Sequence, residues 1–152
     1  MATLHLMVGL PCSGKTTKAR KLEKEYNALL LSPDIWYQKL FGNNLKAADH
    51  DKNRDVIESI MWGYASRVLK LGVDVILDSG FCTKAEREKI RNLAINLGVN
   101  YKIHYLDVPV NELYRRIEKR NKKSADGTFI FSKEEMDKQV SVFQPPDMEE
   151  LK

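Results

Sequence analysis

Cysteine occurs only twice in the 152 residues, at Cys12 and Cys82, too few for the disulfide framework of a small secreted scaffold. No apolar run approaches the roughly 20 residues that a membrane-crossing helix needs. No internal repeat and no low-complexity segment interrupts the chain, and a strong excess of either charge is missing as well. The 25 Lys and Arg exceed the 21 Asp and Glu by enough for a net charge of +4, which suits phosphate-rich ligands but falls short of a nucleic-acid signature. The first apolar run begins at Leu4, which leaves no room for a leader peptide, so a cytoplasmic location without membrane attachment is expected. A chain of this length buries roughly two-thirds of its unfolded surface without disulfides, and a single domain over residues 1–152 is expected.

Against those absences stands Gly9-Leu10-Pro11-Cys12-Ser13-Gly14-Lys15-Thr16, directly after the apolar run Leu4-His5-Leu6-Met7-Val8. This is the strand-to-helix spacing of a phosphate-binding loop. Glycines at both ends let the backbone curl until successive N–H groups point inward, and the following helix adds its positive N-terminal end. Gly9, Pro11, Cys12, Ser13, Gly14 and Thr17 therefore join the expected phosphate cradle. Lys15 is placed to reach the β/γ-phosphates of ATP, and Thr16 offers its hydroxyl to Mg²⁺, an ion that keeps most of its waters. Thr17-Lys18-Ala19-Arg20-Lys21-Leu22-Glu23 continues the pattern as helix.

Buried-strand runs recur at Leu4 to Val8, Ala28 to Ser32, Val73 to Asp78 and Lys102 to Asp107, separated by helical periodicity. That alternation predicts an α/β fold on a parallel sheet. Helices are expected at Gly14 to Tyr26, Pro33 to Phe41, Asp49 to Leu71, Lys84 to Leu97, Val110 to Asn121 and Ser132 to Phe143. Thr83 with Glu86 has capping-box spacing, and Gly72 and Gly98 follow the ends of helices. Lys122 to Thr128 reads as a loop.

In an open parallel sheet, ligands sit beyond the carboxyl ends of the strands. Asp34 lies just past the second strand, where a carboxylate faces the γ-phosphate and can accept an alcohol's proton. It also suits the start of a helix, with Ser32 the competing cap. Asp78 ends a β-branched run, resembles a Walker B acid, and is the expected partner of the metal. Asp107 and Pro109 follow the fourth strand. Arg116 and Arg120, four apart on one helix face, are expected to bring guanidinium groups to the phosphates from a lid, although Glu112 also pairs with Arg116 at that spacing. Cys12, at a helix N-terminus, is expected to be somewhat acidic. His5 and His104 fall inside strands and read as core residues, and no zinc site is assigned.

Taken together, Val8 to Thr17, Leu31-Ser32-Pro33-Asp34, Val75-Ile76-Leu77-Asp78-Ser79-Gly80-Phe81 and Tyr105-Leu106-Asp107-Val108-Pro109 resemble the small P-loop kinases of AAA_33 type. Polynucleotide 5′-kinase, chloramphenicol phosphotransferase and zeta toxins are relatives of that group. The resemblance extends to Arg116, Arg120 and the closing Phe143-Gln144-Pro145-Pro146. It implies the fold of nucleotide and shikimate kinases, with strand order 2-3-1-4, helices on both faces and a small lid around Arg116 to Thr128. It also implies Asp34 as the base, Arg120 as a phosphate contact, and ATP-dependent transfer to a hydroxyl. Polynucleotide kinases of this type carry an arginine three residues after the base, where this chain has Tyr37. With Trp36, Tyr37 and Phe41 expected near the acceptor mouth, a small, partly apolar or nucleoside-like acceptor is favoured over a polynucleotide, unless Arg54 or Arg87 substitutes. A nucleotide-responsive binding protein with little catalysis is the alternative of a different class.

Overall fold

The structure, a computed structural model, describes residues 1–44, 48–123 and 130–152. Strand β1 (Thr3–Val8) is followed by helix α1 (Lys15–Tyr26), and strand β2 (Leu29–Leu31) by helices α2 (Pro33–Phe41) and α3 (His50–Lys70). Strand β3 (Val75–Gly80), helix α4 (Lys84–Leu97) and strand β4 (Asn100–Tyr105) follow, then helices α5 (Val110–Lys123) and α6 (Lys133–Val142). The four strands form one parallel sheet in the order β2-β3-β1-β4. No helix among the described residues is long and apolar enough to cross a membrane.

The central strand β1 is buried almost throughout because both faces of the sheet are covered, which is why it reads as a continuous apolar run. Successive side chains point to opposite faces. Leu4, Leu6 and Val8 pack with Ile57, Met61, Ala65 and Leu69 of α3, whereas Met7 packs with Ala19 and Leu22 of α1. A third cluster joins Leu10, Leu113 of α5 and Met136 of α6, and so holds the last two helices beside the loop after β1.

Sequence signals account for most boundaries. Thr83 and Glu86 form a reciprocal capping box at α4, and Ser132 and Glu135 form a second at α6. Gly98 closes α4 in the left-handed conformation. Two strands differ from the pattern-based expectation. The edge strand β4 begins at Asn100 and not at Lys102, because Asn100 N–H donates to Ala2 O at 3.0 Å; its exposed polar residues hide a strand that hydrogen bonding defines. Strand β3 begins at Val75, two residues later than expected, and continues past Asp78 to Gly80. Between the pairs Leu6–Leu77 and Val8–Gly80, one residue of β1, Met7, faces two of β3, Asp78 and Ser79, a bulge of the kind that re-aims a side chain beside a functional site. The expected lid loop falls largely on residues 124–129, outside the described residues.

Candidate active site

The loop between β1 and α1 is tightly constrained. A Cβ at Gly9 would come within 2.6 Å of Ser13 Oγ and 3.2 Å of Leu106 O, so the first glycine is required by close approach. Cys12 and Gly14 both have positive φ, 67° and 94°, which turns the backbone into a concave nest at the start of α1. Ser13 N–H donates to Leu10 O at 3.1 Å and Gly9 N–H to Gly80 O at 3.4 Å, tying the loop to itself and to the end of β3.

Lys15 opens α1 and folds back over the loop, its Nζ donating to Leu10 O at 3.1 Å. Burial pulls the pKa of its ammonium down, opposed by the carboxylates of Asp78 and Asp34. An ammonium disfavoured by burial gains most from an anion brought alongside. Thr16 Oγ1 donates to Asp78 Oδ2 at 2.7 Å. Burial raises the Asp78 pKa, with Thr16 and Lys15 acting the other way. Thr17 is exposed in the first turn of α1.

Helix α5 leans on the same loop. Arg116 Nε donates to Glu112 Oε1 at 3.0 Å, the pair expected at that spacing, and its Nη1 donates to Cys12 O of the loop at 3.1 Å. Cys12 departs from expectation: burial pushes its thiol pKa upward, and the cations of Arg120, Lys15 and Arg116 offset this only in part. Asp107 is exposed, its Oδ1 accepting from the Tyr105 hydroxyl at 3.4 Å.

Among the described residues, Ser13 Oγ, Asp78 Oδ1 and Arg120 Nε are buried without a hydrogen-bond partner. Buried polar atoms are nearly always satisfied. Three orphans around one anion-binding loop fit a phosphate and its metal. The free Asp78 oxygen and the Thr16 hydroxyl are hard oxygen donors, the kind Mg²⁺ takes while retaining water.

Opposite the loop, Gly9, Pro11 and Lys15 open onto a cleft of about 650 Å³ whose far wall includes Asp34, Arg54 and Glu58. Asp34 is not the helix cap: Ser32 holds the N-cap position of α2, and Asp34 Oδ1 instead pairs with Arg54 Nη1. Arg54 also donates to Glu58 Oε1 at 3.1 Å, which holds the guanidinium between two carboxylates. Of the aromatics expected at the mouth, Tyr37 is buried in the core against Phe41 and His50, and Trp36, Tyr37 and Phe41 are not among the cleft-lining side chains. Arg87 is 1% exposed and bound to Glu150 and Phe81 O, so it is unavailable to a ligand. Asp51, Glu135, Lys138 and Gln139 also line the cleft and were not singled out from sequence. Their signal was present as Asp51-Arg54-Glu58 on one face of α3 and Glu135-Lys138-Gln139 on one face of α6.

The AAA_33 family model, described as an AAA domain, matches residues 4–146. The chain belongs to this family. Its fold is that of the P-loop kinases, and solved structures agree. Kti12 of Chaetomium thermophilum, in complex with ADP-AlF3, aligns with TM-score 0.72 and 21% identity over 95% of this chain and 81% of its own. A chain of the Pnkp1/Rnl/Hen1 RNA repair complex gives TM-score 0.70 and 25% identity over 92% of this chain and 43% of its own. The APS kinase CysC of Mycobacterium tuberculosis, in complex with AMPPNP and APS, gives 0.60 and 19% over 95% and 83%. A curated relative, a probable fructose-2,6-bisphosphatase of Schizosaccharomyces pombe, is 32% identical over 90 residues, 57% of this chain. The chain spans about a fifth of that relative's length, the aligned part being 22% of it.

Proposed function

We propose that this AAA_33 protein is an ATP-dependent kinase that transfers the γ-phosphate to a hydroxyl of a small-molecule or nucleoside-like acceptor. The observation that carries the reading is the single cleft that joins the phosphate loop and Lys15 to the Asp34–Arg54 pair. The loop amides and Lys15 bind the phosphates, and Arg116 stiffens the loop through Cys12 O. Thr16 and Asp78 would hold Mg²⁺, whose charge neutralises β- and γ-phosphate oxygens.

Arg54 occupies Asp34 Oδ1 and orients the carboxylate, which leaves Oδ2 to receive the acceptor's hydroxyl proton. As the acceptor oxygen bonds to the γ-phosphorus, the bond to the β,γ-bridging oxygen breaks and ADP leaves with the electron pair. Arg120, with its buried and unpartnered Nε, donates to charge developing on the transferring group.

The 25% identity with a chain of an RNA repair complex keeps polynucleotide 5′-hydroxyl transfer as a second reading, while the engagement of Arg54 and Arg87 speaks against it. Replacing Lys15 by Ala removes a charge-assisted contact of about 1.5–3 kcal/mol. Turnover of γ-labelled ATP is expected to collapse with the fold intact by circular dichroism. Wild-type turnover in that variant sinks the kinase reading.

A further inference from the structure

Taking this cleft as the phosphoryl-acceptor site proposed above, we infer that its acceptor is a hydroxylated organic cation with a small apolar arm. Besides Lys15, the wall carries carboxylates from four separate helices: Asp34 of α2, Asp51 and Glu58 of α3, Glu86 of α4 and Glu135 of α6. Among them stand two further cations, Arg54 and Lys138, with His50 lying against Tyr37 at a ring distance of 4.4 Å. Arg54 is already held by Asp34 and Glu58, a pairing of two carboxylates with one guanidinium that leaves one net negative charge. Glu86 and Glu135 are anchored by their capping boxes, each through Oε2 only. An acceptor bearing a carboxylate or phosphate would enter a wall of like charge, whereas an ammonium group is drawn into it.

A second feature points the same way. A recess of about 70 Å³ opens beside the cleft and shares Glu58 and Ser79 with it. Its other walls are apolar and aromatic, from Met61, Trp62, Leu77, Phe81 and Ile90. A carboxylate at the rim of an aromatic recess is the chemistry that receives a cation with a few carbon atoms attached. Lys15 and the loop serve the phosphates, which leaves Asp51, Glu58, Glu86 and Glu135 to the acceptor.

The test uses the full chain with γ-labelled ATP and three series of hydroxyl compounds, the small molecules matched in size and oligonucleotides added as a polyanionic arm. These are amino alcohols (3-aminopropane-1,2-diol, leucinol), neutral alcohols (glycerol, 4-methylpentan-1-ol) and anions (glycerate, 2-hydroxy-4-methylpentanoate, 5′-hydroxyl oligonucleotides). The amino alcohols are expected to exceed their neutral counterparts roughly tenfold in kcat/KM, the yield of one charge-assisted contact, with the anions lowest. Asp51→Asn with Glu135→Gln, the latter keeping its capping bond, should erase that preference by raising KM for the amino alcohols. Equal or greater transfer to neutral or anionic acceptors overturns the inference and leaves the kinase reading standing. A preference that survives both substitutions also overturns it. Transfer to no series, with ATP binding to wild type but lost in Lys15→Ala, overturns it as well and moves the protein to the class of nucleotide-responsive binders.

Discussion

Asp34 carries the sharpest residue-scale prediction, because the ion pair with Arg54 separates its two roles. Asn in its place preserves shape and can still take one hydrogen bond from the guanidinium, but it cannot accept a hydroxyl proton as a carboxylate does. Asp34→Asn should therefore keep ATP affinity and lower phosphoryl transfer by roughly 10²–10⁴-fold, the usual contribution of general-base catalysis. Full activity in that variant would remove Asp34 from the proton path and leave it a holder of Arg54. Arg120 makes a different demand. An unpartnered guanidinium nitrogen beside the loop is most useful when charge builds up, so Arg120→Ala should reduce kcat more than it weakens nucleotide binding. Calorimetry that shows lost affinity at unchanged kcat would make it a ground-state contact.

At the scale of elements, the tail after α6 is strapped across the start of α4. Gln144 N–H donates to Cys82 O at 2.8 Å, and its side chain accepts from Lys84 N–H at the same distance. Beneath this strap Arg87 meets Glu150 through two nitrogens, at 2.6 and 3.2 Å, with side-chain exposures of 1% and 9%. Removing one member of such a pair leaves an uncompensated buried charge, so Glu150→Ala should cost about 3–5 kcal/mol in chemical denaturation. Replacing both by apolar residues of similar volume should cost much less. If Glu150→Ala is no worse than the double replacement, the tail is a loose appendage and not a strap. The strap also fixes Phe81 O through Arg87 Nη1, which links the C-terminal segment to the recess beside the cleft.

For the molecule as a whole, stability and chemistry sit in different parts of the sheet. The phosphate loop, Asp34 and Asp78 lie toward the carboxyl ends of the strands, as an open parallel sheet requires. On the α1 side, His5 bridges His104 at 2.9 Å and Asp74 at 3.2 Å, with Tyr26 stacked on its ring at 4.9 Å. One assignment satisfies the chain: His5 Nε2–H donates to Asp74, and His104 Nε2–H donates to His5 Nδ1. Burial first, then the neighbouring His5, Lys102 and Lys18, depresses the His104 pKa to about 4. The fold thus disfavours protonated His104. No penalty applies above the ordinary histidine pKa of about 6.5; it grows as pH falls toward 4 and then levels off. Thermal unfolding from pH 7 to 4 should show this loss, and His104→Gln should flatten the decline. An unchanged slope in the variant would assign the acid sensitivity to other groups.

The backbone turn of the phosphate loop was legible in the sequence because its requirements are local, whereas the raised pKa of the Cys12 thiol follows from burial. Gly9, Gly14, Lys15 and Thr16 act through backbone conformation and spacing within eight residues, and the apolar runs around them set the β/α alternation directly. Both glycine-terminated helices and the Thr83–Glu86 capping box were legible for the same reason. What the chain did locally could not reveal which side chains would meet across it. Asp34 finds Arg54 twenty residues away only when α2 packs on α3, and Arg87 finds Glu150 only when the tail returns to α4. Tyr37, placed by spacing near a ligand, went to the core because α2 turns that face toward His50. The bulge that sets Asp78 against Thr16 depends on the register between β1 and β3. Sequence fixes what a segment can be on its own; which carboxylates face one another across a cleft follows from packing, because only packing brings distant charges within bonding range.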